Sequence, residues 1–301
     1  MGATSTLPLD SIDGLKLALR GQSYLADRGL ATALFLALRL ARPLFLEGEA
    51  GVGKTEVAKA LSAALGRRLL RLQCYEGLDI HQAVYEWNYT RQMLHIRLLE
   101  ARGERAQEQD LFGPAYLLRR PLLEAIDNSD PLPPVLLIDE IDRSDEEFEA
   151  YLLEVLSDFQ ISIPEIGTIR ALHPPLVVIT SNRTREVHDA LKRRCLYHWI
   201  EYPTLEREYE ILTLRLPGLP DRLARQVTAF VQGLRQLELY KVPGIAETLD
   251  WAEALVALNR EELEPELVED TLGALLKVQE DLAALRGDRL RQLLTQVEAG
   301  G

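Results

Sequence analysis

Eight residues limit the architecture of this chain more than any others: Gly48-Glu49-Ala50-Gly51-Val52-Gly53-Lys54-Thr55, in the pattern G-x-x-x-x-G-K-[ST]. LFLEG before them reads as a short buried strand, and GKTEVAKALSAALG after them as a helix that stops at Gly66. A glycine-rich turn in that position lets the backbone curl so that successive N–H groups face phosphate oxygens, and the helix adds its positive end. Lys54 is then expected to reach the β- and γ-phosphates and the Thr55 hydroxyl to bind Mg²⁺. Glu56 follows directly and completes the expected nucleotide-binding set, residues 48–56. A strand–loop–helix of this kind implies an α/β fold with a parallel sheet.

The flanking sequence supplies the other layers. QSYLADRGLATALFLALRLA (22–41) is expected to form one helix, ended by Pro43. RLLRLQCYE, VLLIDE and PLVVITSN read as strands, EEFEAYLLEVLSDF as an amphipathic helix, and QISIPEIGTIRA as two strands around a glycine-containing turn. Residues 77–127 form a longer segment, aromatic early and helical in charge pattern around LLEARGERAQEQD. Past Tyr202-Pro203 the strand-like runs cease and helical periodicity takes over. The expected division is an N-terminal extension over 1–21, an α/β domain over 22–203 and a small all-α lid over 204–301.

VLLIDE carries the second half of the chemistry. Its strand delivers Asp139 to the metal, through water or the Thr55 hydroxyl, and Glu140 can polarise an attacking water as general base. Two adjacent acids, without an N-K-x-D motif, point to ATP hydrolysis rather than GTP binding or transfer to a small molecule. Asn182, ending PLVVITSN, can hold that water. Lys192, Arg193 and Arg194 follow a short helix near EVHDAL in a chain of net charge −13. A guanidinium presented there suits a trans-acting arginine, which in nucleoside triphosphatases meets charge on the γ-phosphate of a neighbouring subunit. An ion pair within the subunit is the competing explanation for the basic run.

The acidic balance argues against nucleic acid as partner, because phosphate neutralisation supplies most of that affinity. The two cysteines, Cys74 and Cys195, share no motif and are expected to be reduced, and the five histidines have no metal-ligand spacing. No stretch spans a bilayer and no signal peptide is visible, so a soluble, cytoplasmic protein is expected. The opening MGATST matches the myristoylation pattern, which is short enough to arise by chance.

Taken together, the loop, VLLID139E140, Asn182, the arginines and the helical tail resemble the AAA+ ATPases. Within them the chain is similar to the MoxR group, with the segment after the second strand matching its helix-2 insert and QISIPEIGTIRA its pre-sensor-1 hairpin. The wording of LQCYEGLD, AVYEWNY and EVLSDFQISIPEIGTIR looks closest to CoxD-type proteins. The resemblance covers about residues 20–260. It implies a three-layer αβα P-loop domain with a lid, ATP and Mg²⁺ as cofactors, and a homo-hexameric ring. It also implies a von Willebrand factor A domain partner, and a molybdenum hydroxylase such as carbon monoxide dehydrogenase as the metalloenzyme client. Another metalloenzyme or Rubisco, or a nucleic-acid-linked task, are the alternatives. Arg194 falls at the arginine-finger position, with Arg193 the alternative. Relatives carry a lid arginine in G-x-S-x-R where this chain has Gly244-Ile245-Ala246-Glu247-Thr248, so Thr248 leaves that cation unassigned. Tyr75, Tyr85, Trp87 and Tyr89 suit either a client-gripping surface or packing of the insert.

Overall fold

A computed structural model describes residues 10–104 and 111–300. The MGATST start and the RAQEQD part of the helix expected near residue 110 lie outside the described residues. The chain divides into two compact units.

The first unit comprises residues up to 22, 26–47 and 55–199. It opens with helix α1 (Ile12–Gly21), started by the Ser11 hydroxyl, which accepts from the Gly14 N–H at 3.0 Å. Helix α2 (Arg28–Leu40) is started by Asp27, which accepts from the Leu30 N–H at 2.7 Å. Within the expected N-terminal extension residues 12–21 are helical, and one expectation is corrected: residues 22–27 do not belong to the next helix. Asp27 offers the free N–H groups an acceptor six residues into the expected helix, and Ser23 takes a left-handed backbone with φ 56°. Then come β1 (Leu44–Gly48), α3 (Lys54–Leu65), β2 (Leu69–Gln73), α4 (Ile80–Ala83), β3 (Tyr85–Trp87) and α5 (Tyr89–Ala101). Next are β4 (Leu117–Arg119), α6 (Pro121–Ile126), β5 (Val135–Asp139), α7 (Glu146–Asp158), β6 (Gln160–Ile163) and β7 (Gly167–Arg170). β8 (Leu176–Ser181), α8 (Asp189–Arg194) and β9 (Leu196–Ile200) close the series.

The main sheet has the order β2-β5-β8-β1-β9. β1 pairs in parallel with β8, β8 with β5, and β5 with β2. Every residue of β1, β5 and β8 is buried, as expected of strands covered on both faces. Register does the functional work: Gln73 lies opposite Asp139, and Glu47 opposite Ser181. The order jumps between β5, β8 and β1, so the carboxyl ends of these strands meet at a topological switch, where open α/β sheets bind ligands. β9, which no sequence signal marked, occupies an edge. β6 and β7 form the expected antiparallel hairpin, turning at Gly167 with φ 99°.

The segment after β2 holds the antiparallel pair β3–β4 and helix α5. Its four aromatics part company. Tyr85 and Trp87 are buried, Trp87 edge-on to Phe112 with ring centroids 5.2 Å apart, whereas Tyr75 and Tyr89 are exposed.

The second unit contains residues 23–25, the loop 48–54 and 200–301. Its helices are α9 (Leu205–Arg215), α10 (Asp221–Leu234), α11 (Ile245–Ala257), α12 (Pro265–Leu275), α13 (Gln279–Leu285) and α14 (Asp288–Gly300). Phe230 and Trp251 centre its core, 5.3 Å apart. A buried ion pair crosses that core. Arg235 donates to both Glu208 oxygens at 2.6 and 2.8 Å, and Thr248 and Gln232 each donate to Glu208 at 2.8 Å.

Candidate active site

Asp139 ends β5 with only 1% of its surface exposed. Its Oδ1 accepts from the Thr55 hydroxyl at 3.0 Å and the Thr180 hydroxyl at 2.6 Å. Its Oδ2 accepts from Arg71 Nε at 3.0 Å and Nη2 at 2.6 Å. The structure brings together Thr55 and Asp139, both singled out from sequence, whereas Thr180 and Arg71 carry no motif. The one available signal was register, since Arg71 and Gln73 share a strand face beside β5.

Glu140, the next residue, has a left-handed backbone at φ 56°, ψ 53°. That conformation costs a non-glycine residue about 1–3 kcal/mol and tends to persist at functional sites. It turns the chain out of β5 so that successive carboxylates diverge. Glu140 Oε1 accepts from the Asn182 side-chain amide at 3.2 Å, and Oε2 from the Gln73 amide at 3.1 Å. Arg143 Nε lies 3.1 Å from the same Oε2. The structure thus brings Asn182 to Glu140.

Buried acids that the sequence did not single out hold Asn182 and the segment that follows it. Asp142 accepts from the N–H groups of Asn182 at 3.1 Å and Thr184 at 2.9 Å, and from the Thr184 hydroxyl at 2.6 Å. Burial alone would raise its pKa, but these bonds outweigh it and hold the carboxyl below its ordinary value. Glu149, fully buried, pairs with Arg185 and accepts from the His188 N–H at 2.7 Å. Arg185 is therefore a structural cation rather than a spare surface charge.

In the second unit the loop 48–54 keeps its shape through backbone that side chains would obstruct. Gly51 and Gly53 have φ of 76° and 92°, a region costly to residues with a Cβ. Lys54 Nζ donates to the carbonyls of Gly48 at 2.8 Å and Glu49 at 2.6 Å. The start of α11 lies directly against this loop, with the Ala246 N–H donating to the Gly51 carbonyl at 3.2 Å. Thr248 is fully buried on Glu208 and the Gly244 carbonyl. Arg235 is committed to Glu208 and the Pro243 carbonyl.

The basic run divides in the same way. Lys192 pairs with buried Glu47 at 3.2 Å, the ion pair within the subunit that competed with an intersubunit role. Tyr197 donates to the other Glu47 oxygen at 2.8 Å, and burial followed by that bond pushes its phenol up to about 12. Arg193 and Arg194 are exposed. Arg42 clamps their backbone, donating to the carbonyls of Arg193, Arg194 and Cys195 at 3.1, 3.3 and 3.4 Å, while Arg194 Nη1 donates to Leu153 O at 2.7 Å.

Residues 43–195 match the family model described as AAA domain (dynein-related subfamily). The chain belongs to that family. It is an ATPase of the AAA+ class, with ATP and Mg²⁺ as its cofactors. No curated protein matches it. Among solved structures it is similar to a mutant of RuvB from Thermotoga maritima, at 18% identity and TM-score 0.49, covering 90% of this chain and 74% of that one. RuvB of the same organism, described as a Holliday junction branch migration motor, matches at 17% identity and TM-score 0.47, covering 90% and 74%. A candidate ATPase from Cytophaga hutchinsonii matches at 16% identity and TM-score 0.47, covering 97% and 94%.

The donor set fits the metal of this AAA domain. Thr55 and Asp139 offer a hydroxyl and a carboxylate 3.0 Å apart, hard oxygen ligands of the kind Mg²⁺ takes alongside phosphates and waters. Among the described residues no group of three or more His, Cys, Asp or Glu could hold a metal on its own, and Mg²⁺ in nucleotide sites needs none. Among the described residues no helix is long and apolar enough to cross a membrane.

Proposed function

We propose that this AAA+ ATPase forms a ring and spends the energy of hydrolysis on remodelling a protein client. In this reading residues 48–56 bind the nucleotide, and Thr55 and Asp139 hold Mg²⁺, which neutralises charge on the phosphates. Glu140 accepts the proton of the attacking water, which Asn182 orients. The observation that supports it best is the convergence of the Asn182 and Gln73 amides on a Glu140 held in a left-handed backbone. Glu140→Gln is expected to bind ATP and to hydrolyse it about 10²–10⁴ times more slowly, while Lys54→Ala loses binding. Near-normal turnover in Glu140→Gln would refute the base.

Arg194, or Arg193 beside it, is the residue offered to the neighbouring subunit, worth roughly 10³–10⁵ in rate. Support comes from their exposure and from the Arg42 clamp beneath them. Rings that mix Arg194→Ala with Lys54→Ala are expected to regain activity where an intact arginine meets an intact loop. No recovery in rings shown to be mixed would overturn the trans role.

The finer reading is a MoxR-type hexamer, closest to CoxD-type proteins. It works with a von Willebrand factor A domain partner on a molybdenum hydroxylase, carbon monoxide dehydrogenase first among them. Its support is the wording of the insert and hairpin, together with apolar side chains that α5 leaves exposed, among them Tyr89, Met93, Leu94 and Leu98. Deleting the gene is expected to leave the dehydrogenase abundant and inactive. Full dehydrogenase activity in the deletion strain would remove that client.

A further inference from the structure

The Asp139 carboxylate has about four acceptor positions, and donors of the protein fill them. Thr55 and Thr180 take Oδ1, with Thr55 also 3.3 Å from Oδ2, and two guanidinium nitrogens of Arg71 take Oδ2. A cation that engages Asp139, directly or through a water it carries, must therefore displace one of these donors. Thr180 is poorly placed to leave, because it is buried and its hydroxyl also accepts from the Glu140 N–H at 2.9 Å. Thr55 is itself assigned to the metal. Arg71 differs from both. Its side chain is 49% exposed against 2% for Asp139, and it already donates to a second acceptor, Gln73 Oε1.

We propose that Arg71 is a displaceable counter-cation for Asp139, which Mg²⁺ must evict to complete its site. Without the metal, Arg71 keeps a buried carboxylate neutralised and aimed along β5. When the metal arrives, two positive groups compete for Oδ2, and the half-exposed guanidinium swings toward Gln73 and solvent. Arg71 is thus a positioning residue that sets the metal affinity of the site from the neighbouring strand. The inference rests on assigning Thr55 and Asp139 to the metal.

The test measures metal binding rather than turnover. Free Mn²⁺ is titrated by electron paramagnetic resonance into the full chain with saturating ADP, for the parent, Arg71→Met, Arg71→Lys and Asp139→Asn. A charge-assisted hydrogen bond is worth roughly tenfold to a hundredfold in an equilibrium. Arg71→Met is therefore expected to bind Mn²⁺ about tenfold tighter, and to melt lower than the parent without nucleotide. Arg71→Lys keeps a cation but loses the two-pronged contact, and is expected to bind Mn²⁺ at least about threefold tighter than the parent; it decides the matter if Arg71→Met does not fold. A purely structural role for Arg71 predicts the opposite sign, because a misplaced Asp139 binds metal less well. Unchanged or weakened Mn²⁺ affinity in the Arg71 variants, with binding lost in Asp139→Asn, would overturn this inference alone. Parent-like Mn²⁺ binding in Asp139→Asn would overturn the metal assignment and the inference with it.

Discussion

Gly244→Ala probes the contact between the glycine-rich loop and the start of α11 within the second unit. A Cβ at Gly244 would meet Gly51 Cα at 2.7 Å and its carbonyl carbon and oxygen at 2.8 Å. All three are backbone atoms, so no side chain can rotate away. Ordinary carbon contacts need about 3.5–4.0 Å, so the start of α11 and the loop must part by about 1 Å. The Ala246 N–H to Gly51 O bond, now 3.2 Å, then passes beyond hydrogen-bond range. Overpacking costs about 1–3 kcal/mol and the lost bond about 1 kcal/mol. Against this, alanine reduces unfolded-state entropy by about 0.4–1 kcal/mol. Gly244 itself has φ −85°, so alanine adds no backbone strain of its own. The net expectation is a loss of about 2 kcal/mol, with weaker ADP binding because the loop is displaced. Gly273→Ala is the control: it lies within α12 with nothing within 4 Å of its would-be Cβ, and should gain about 0.5–1 kcal/mol. Thermal melting and ADP titration on the two variants separate the cases. If Gly244→Ala melted with Gly273→Ala and bound ADP like the parent, the contact would have no energetic meaning.

Other expectations are simpler to state. Arg235→Met strands Glu208 in the core of the second unit and should cost about 3–5 kcal/mol, read as a lowered melting temperature. Trp87→Ala should destabilise by about 3–5 kcal/mol, whereas Tyr89→Ala, on an exposed helix face, should stay within about 0.5 kcal/mol; equal melting of the two would contradict their different burial. Burial pushes the Cys74 and Cys195 thiols up from 9.0 to about 12 in the fold. Iodoacetamide at pH 8 should therefore label them only after denaturant is added. Between the unfolded value near 9 and the folded value near 12 the unfolded chain holds fewer protons, so stability present below pH 9 should fall as pH rises through that window. Flat stability from pH 9 to 11 would contradict the shift.

Much of this molecule was legible because its chemistry is local. The run 48–55 carries its own strand, turn and helix signals, and VLLIDE ends where its acids must emerge. Fully buried parallel strands are continuous apolar runs, so β1, β5 and β8 stand out in the sequence, as does the helical periodicity beyond residue 205. What the tertiary structure decided are pairings between segments distant in sequence. Arg71 reaches Asp139 only because β2 lies beside β5 in that register, and Lys192 meets Glu47 only because α8 leads into the strand beside β1. Neither partner has a motif, since one long cation on a strand looks like any other until its neighbour is known. Asp27 and Asn182 show the same limit from opposite sides. The carboxylate at residue 27 ended the expected helix by offering it a start six residues in, a competition that periodicity cannot weigh. Asn182 could be placed at a strand end from sequence, but the Asp142 carboxylate that holds its backbone, and the strained Glu140 that its side chain meets, belong to the folded chain alone.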